Sequence, residues 1–165
     1  MTIKRCFAPV VNNDTRVLIL GSLPGEISLA QGQYYAHKQN RFWHLVGDVI
    51  GEALPDMSYA DRLLRLQEHG IGLWDVVAEA NRIGSLDSQI RNHAQNDLSA
   101  LVGTLPTLRA IAFNGGTAEK IGRSALAEEG HSPYAMLRLP SSSPAYAAIR
   151  YAEKAALWGA LKAFL

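Results

Sequence analysis

The groups in this chain that could do chemistry together are carboxamides, hydroxyls and aromatic rings. The densest set is Tyr34-Tyr35-Ala36-His37-Lys38-Gln39-Asn40-Arg41-Phe42-Trp43. An aromatic face can stack on a nucleobase, an Asn can meet a base edge, and Lys38 and Arg41 can meet phosphates. Phe42 and Trp43 open a helical pattern and are expected in the core; Tyr35 and Asn40 are expected at a site. Gly21-Ser22-Leu23-Pro24-Gly25 sets two glycines around a proline. Its backbone can approach a ligand closely, and its amides could hold an oxyanion or a base edge. An ordinary strand-to-helix turn would read the same way. Pro140-Ser141-Ser142-Ser143-Pro144 is a stiff loop whose hydroxyls suit phosphate oxygens, or else a simple serine-rich turn. Asn114-Gly115-Gly116 offers another carboxamide, either a base reader or the cap of the next helix.

Several chemistries are excluded by what the segments lack. No Gly-Lys-Ser/Thr follows the first glycine segment, so it is not a Walker loop. There is no Gly-x-Gly-x-x-Gly for a nicotinamide cofactor and no Gly-x-Ser-x-Gly nucleophile elbow. The histidines (His37, His44, His69, His93 and His131) lack metal-ligand spacing, and the single Cys6 excludes an internal disulfide. No paired carboxylates are expected at the strand ends, and Asp75 reads as a strand residue. The chemistry expected is that of amides, hydroxyls and positioned water, with no metal and no cofactor.

Positioning these segments requires a sheet. Four β-rich runs stand out at residues 16–21, 70–77, 108–113 and 135–139, the first and third almost continuously apolar as in strands buried on both faces. Helical spacing occupies residues 42–53, 58–69 (with Ser58 as cap), 97–102, 115–129 and 145–165. The alternation predicts an α/β fold with a parallel sheet and helices on both faces. Ligands of such sheets bind beyond the carboxyl ends of the strands. There lie residues 21–25, a loop over 78–92, residues 114–116 and residues 140–144.

A chain of 165 residues suits one domain, spanning 1–165, and 48% hydrophobic against 19% charged residues is a globular rather than a disordered composition. No apolar run approaches the roughly 18 residues of a membrane span, and the N-terminus lacks a signal-peptide core, so a cytoplasmic protein is expected. Sixteen basic against fifteen acidic side chains give a net charge of +1. Binding nucleic acid by diffuse charge usually needs a more basic protein, so any DNA contact would be a local patch aided by backbone and hydroxyl groups.

In order along the chain stand Gly21-Ser-Leu-Pro-Gly25, Ser28-Leu29, Tyr34-Tyr35-x-His37-x-x-Asn40-x-Phe42-Trp43, Gly72-Leu73-Trp74-Asp75-Val76, Gly84-Ser85-Leu86-Asp87, Phe113-Asn114-Gly115 and Pro140-Ser-Ser-Ser-Pro-Ala145. Over roughly Leu18 to Tyr146 this pattern resembles the hypoxanthine-DNA glycosylase branch of the uracil-DNA glycosylase superfamily. The resemblance implies a three-layer αβα sandwich with a short four-stranded parallel sheet. It implies a monomeric enzyme that flips a deaminated base, hypoxanthine first, out of double-stranded DNA and hydrolyses its N-glycosidic bond, leaving an abasic site. Mismatch-specific uracil relatives position water with the Asn of Gly-Ile-Asn-Pro-Gly; here Leu23 stands there, and Asn40 matches the essential Asn of the hypoxanthine branch. Asn114 is similar to a second carboxamide in recognition or catalysis. Tyr35 matches the stacking aromatic, and Gly21, Ser22, Leu23, Pro24 and Gly25 form the base-binding turn. Ser141, Ser142, Ser143 and Pro144 match the loop that pinches the DNA backbone, with Lys38 and Arg41 beside it. Lys38 replaces the usual Pro, and Tyr146 the usual Asn. The alternatives are a mismatch-specific uracil/thymine-DNA glycosylase, a nucleoside-processing enzyme on the same layout, or a DNA-binding module without catalysis.

Overall fold

The run Val17-Leu18-Ile19-Leu20 is apolar at every position because both faces are covered: Val17 and Ile19 enter one core cluster, Leu18 and Leu20 another. The computed structural model describes residues 3–82, 84–87, 90–126, 133–144 and 149–165. In chain order its elements are β1 (Ile3–Arg5), β2 (Val17–Gly21), α1 (Glu26–Gln31), α2 (Phe42–Ile50), a 3-10 turn (Leu54–Asp56), α3 (Tyr59–Glu68), β3 (Ile71–Asp75), β4 (Val77–Asn81), β5 (Arg91–Gln95), α4 (Leu98–Gly103), β6 (Ala110–Asn114), α5 (Gly116–Leu126), β7 (Ala135–Leu139), α6 (Tyr151–Trp158) and a closing 3-10 helix (Gly159–Phe164).

Four strands pair in parallel in the order β3-β2-β6-β7, with Val17 level with Ile71 and Ala110. On one face Phe42, Trp43, Leu45 and Val46 of α2, Leu66 of α3 and Trp158 of α6 meet Val17, Ile19 and Ile71. On the other, Leu98 of α4 and Ala118 and Leu126 of α5 meet Leu18, Leu20, Ile111 and Phe113. This is the three-layer αβα sandwich that the resemblance implies. Local signals act as anticipated at the helix ends. The Ser58 hydroxyl accepts from the Asp61 N–H at 3.2 Å, and Asp97 caps α4 through Ala100 N–H at 3.0 Å.

The segment after β3 departs from the expected loop. Residues 70–77 are not one strand. The chain turns at Val76, and β4 runs antiparallel between β1 and β5 in a second, three-stranded sheet. Its residues carry no clean alternation of apolar and polar types, and its ladder with β5 shifts register twice. Period-two reading therefore misses it. The C-terminal helix is also shorter than expected and tightens into a 3-10 helix at Gly159, a weak helix former. Residues 127–129 and 145–148, read as helical above and including Tyr146, lie outside the described residues. No helix among the described residues is long and apolar enough to cross a membrane.

Candidate active site

Gly21, Asp75 and Asn114 are the last residues of β2, β3 and β6. Together with the loop after β7 they border a cavity of about 720 Å³. After β2 the chain visits β3 on one side and β6 on the other, so the cavity lies where the strand order reverses, the usual ligand crevice of such sheets.

The turn after β2 forms one wall. A Cβ on Gly21 would stand 2.7 Å from Asp75 Oδ1 and 2.9 Å from the Tyr35 hydroxyl, so only glycine lets these groups close on the strand end. The Ser22 hydroxyl donates to Asp87 Oδ1 at 2.6 Å. Arg82, 1% exposed, donates to the carbonyls of Leu23 (3.5 Å) and Pro24 and, through Nε, to Gly84 O at 3.0 Å. Its guanidinium also lies 3.8 Å from Asp87. Burial pushes the Asp87 carboxyl up, opposed by the Ser22 hydroxyl and Arg82. The Ser85 hydroxyl accepts from Glu26 N–H at 2.9 Å and so ties residues 84–87 to the start of α1.

Tyr35 and Asn40 form the second wall. Tyr35 sits at φ 54°, in the left-handed region that bulky residues rarely adopt. Its carbonyl accepts from Trp43 Nε1 at 3.2 Å, and its ring stacks on Phe42 with centroids 3.9 Å apart and planes 15° from parallel. One ring face is therefore covered, and the residue lines the cavity. The Tyr35 hydroxyl has no hydrogen-bond partner among the described residues. Burial, with Asp75 adding to it and the neighbouring Asn114 side chain opposing, raises its pKa above the ordinary phenol value. Asn40 Oδ1 accepts from Phe42 N–H at 2.9 Å, closing a turn just before α2, whose N-cap residue is Arg41. Its NH2 group, on a residue that lines the cavity, makes no hydrogen bond among the described residues. Lys38 and Arg41 are exposed beside it.

The third wall is a lock. Asn114 Nδ2 donates to the Ser142 hydroxyl at 2.9 Å, and Asn114 Oδ1 accepts from Ser142 N–H at 2.9 Å. Both residues are buried, at 8% and 1% exposure. Ser142 O accepts from Arg41 N–H at 3.0 Å, which ties this loop to the Asn40 segment. Ser142 thus points inward, while Ser141, Ser143 and Pro144 stand at the rim.

The structure adds carboxylates where none were expected. Asp75 is 3% exposed, and its Oδ2 has no partner among the described residues. Burial and the Asp87 charge, opposed by Arg82, together raise its pKa to about 7. An acid inside the apolar run Gly70–Val77 was a legible signal, because Asp is seldom fully buried without a pair. Asp87 and Arg82 carry no comparable local signal.

A parallel αβα sheet carries an aromatic wall, carboxamides and a glycine turn around one cavity beyond its strand ends, the architecture of an α/β protein with a polar, aromatic-lined crevice. A family model for the uracil DNA glycosylase superfamily matches residues 8–162. A hypoxanthine DNA glycosylase from Methanosarcina barkeri is 44% identical over 112 residues, which are 68% of this chain and 71% of the relative. Another, from Methanosarcina acetivorans, is 49% identical over 113 residues, 68% and 72% of the two chains. A Methanosarcina acetivorans protein with a provisional uracil DNA glycosylase assignment has a solution NMR structure similar at TM-score 0.82 and 41% identity, covering 98% of this chain and 99% of that one. The chain belongs to the uracil DNA glycosylase superfamily. It is a DNA glycosylase of base excision repair, a hydrolase of the N-glycosidic bond whose substrate is DNA.

Proposed function

We propose that this protein releases hypoxanthine from double-stranded DNA, working as a monomeric single domain over residues 1–165 in the cytoplasm, at the nucleoid. The names of both Methanosarcina relatives support the substrate. The observation that carries the mechanism is the pairing of Leu23, which cannot orient water, with an Asn40 on the same cavity whose NH2 has no partner among the described residues.

A base must leave the duplex before its glycosidic bond is reached, at a cost of a few kcal/mol that is least for a mispaired base. Hypoxanthine mispairs, so part of the selection precedes chemistry. The flipped ring stacks on Tyr35. Backbone amides of Ser22 and Leu23 receive the base carbonyl as the C1′–N9 bond breaks and its electron pair passes to the base. Water held by Asn40 adds to the cation-like C1′, and its proton leaves with the base or solvent. Asn is a poor base, so it positions rather than deprotonates. Asn114 acts by holding Ser142 and, with it, the loop of Ser141, Ser143 and Pro144 against the DNA backbone, beside Lys38 and Arg41.

The test uses duplexes that carry one hypoxanthine, uracil, xanthine or mispaired thymine, followed by alkali. Hypoxanthine is expected to be released fastest, with strand breaks only after alkali. Faster uracil or thymine release would make it a mismatch-specific glycosylase. Cleavage of free deoxyinosine would make it a nucleoside hydrolase, and binding without release a recognition module.

A further inference from the structure

Most polar groups around the cavity already have partners. Asn114 gives both its amide nitrogen and its oxygen to Ser142. Asn40 gives its oxygen to Phe42 N–H, and the Ser22 hydroxyl is held by Asp87. Of the buried polar atoms without partners among the described residues, two belong to residues lining the cavity, Tyr35 Oη and Asp75 Oδ2. A buried polar atom without a partner costs free energy that a ligand supplying the partner recovers. The Tyr35 hydroxyl lies in the plane of the ring that would stack on the base, so it cannot also meet that base's edge in the base's own plane. Asp75 is placed for that edge. It ends β3 at the carboxyl end of the sheet, lies against Gly21, and lines the cavity.

We infer that Asp75 determines specificity by pairing its carboxyl group with the lactam edge of the flipped base, the carbonyl and adjacent N–H that deamination creates. The inference rests on the base-flipping reading above. In a protonated carboxyl, the O–H donates to the base carbonyl while the carboxyl C=O accepts from the ring N–H. Hypoxanthine offers this pair as O6 and N1–H; xanthine and uracil carry the same unit, so the site recognises lactam-bearing bases as a class. An ionised carboxylate keeps its acceptors but loses the donor and repels the base carbonyl.

Protonation is set by what surrounds the group. Burial and the Asp87 charge, opposed by the Arg82 guanidinium, together raise the Asp75 pKa to about 7. Cys6, Tyr34 and Tyr35 are the other titratable groups coupled to it. Recognition of the lactam is therefore strongest below about pH 7 and weakens above it.

The experiment compares single-turnover release from duplexes carrying one hypoxanthine or one unsubstituted purine, which lacks both the carbonyl and the N–H. The wild-type preference for hypoxanthine should be about tenfold or more, in line with sites that hydrogen-bond a substrate group. Asp75→Ala should collapse that ratio. Asp75→Asn, which keeps one donor and one acceptor, should retain the ratio and hold it constant from pH 6 to 8, where the wild-type ratio falls. If Asp75→Ala slows both substrates equally, or if the wild-type ratio does not change with pH, the inference is overturned. If Asp75→Ala does not fold by melting temperature, the Asn variant and the pH profile decide alone. Wild type that releases no base from any duplex overturns the substrate reading itself, whereas hypoxanthine release with an unchanged ratio in the variants overturns only the role of Asp75.

Discussion

Two sides of the cavity are built in opposite ways. Beyond β6 and β7, Asn114 and Ser142 satisfy each other through two bonds and fix the loop that follows. Beyond β2 and β3, Tyr35 Oη and Asp75 Oδ2 are buried without partners among the described residues, and Tyr35 is held in a left-handed backbone conformation. Satisfied networks make a rigid frame, while strain and unpaired polar groups concentrate where a ligand is to complete the structure. On the proposed function, one side positions and the other recognises. Asn40 joins both, because its Oδ1 holds Phe42 N–H at the start of α2 and its NH2 has no partner among the described residues.

The sharpest way to break this comparison is at Asn40. Asn40→Ala should slow hypoxanthine release by about 10²–10³-fold or more, the scale of losing one group that acts mainly in the transition state. It should also lower stability by about 1 kcal/mol through the lost bond to Phe42 N–H. Asn40→Asp and Asn40→Ser keep an acceptor for that N–H and should still be badly impaired. Single-turnover rates and melting temperatures separate the roles: activity that follows stability would reduce Asn40 to a structural turn residue.

Next in size come the two walls themselves. Tyr35→Ala should weaken capture of the flipped base by about 1–3 kcal/mol while leaving binding to undamaged duplex unchanged. Asn114→Ala should do the reverse. It strands the N–H and hydroxyl of Ser142, costs about 1–3 kcal/mol of stability, and loosens duplex binding as a whole. Titrations with damaged and undamaged duplexes, alongside thermal melts, test the contrast. Identical profiles for the two variants would erase the distinction between walls.

A smaller effect is expected in stability against pH. Asp75 has a folded pKa of about 7 against an unfolded value of 3.8, so the folded state binds more protons between them. Stability contributed by the neutral acid is present below about pH 4 and is lost as pH rises through 7. Asp75→Asn should therefore gain melting temperature relative to wild type at pH 8 and little at pH 4. An equal offset at both would mean that Asp75 does not titrate in this window. The smallest expected effect is that of salt. With a net charge of +1 and exposed Lys38 and Arg41 at the rim, the logarithm of affinity should fall only shallowly with log salt, about 0.9 per phosphate neutralised. A slope implying roughly eight or more ion contacts would point to a wider basic surface.

Much of the frame was readable from the chain alone. Continuous apolar runs marked β2 and β6, the Ser58 cap marked α3, and Phe42 and Trp43 opened α2 facing the core, because burial patterns and caps are properties of neighbouring residues. The motif segments 21–25, 34–43, 114–116 and 140–144 were also legible, as was the carboxyl-end cavity that gathers them. The β4–β5 pairing was not, because its residues lack periodic polarity and its bonds are made between distant segments.

The sequence by itself determined the parallel α/β layout and which loops carry the chemistry, since local hydrophobic spacing and glycine or proline punctuation encode both. Only the tertiary structure decided how the polar groups divide among partners. Ser22 meets Asp87 from 65 residues away, Asn114 meets Ser142 from 28, and Arg82 clasps Leu23 and Pro24 from nearly 60. Among the described residues these pairings leave Asp75 Oδ2 without a partner. Whether a carboxyl is paired, and hence whether burial leaves it neutral, depends on which chain segments pack around it rather than on its neighbours in sequence.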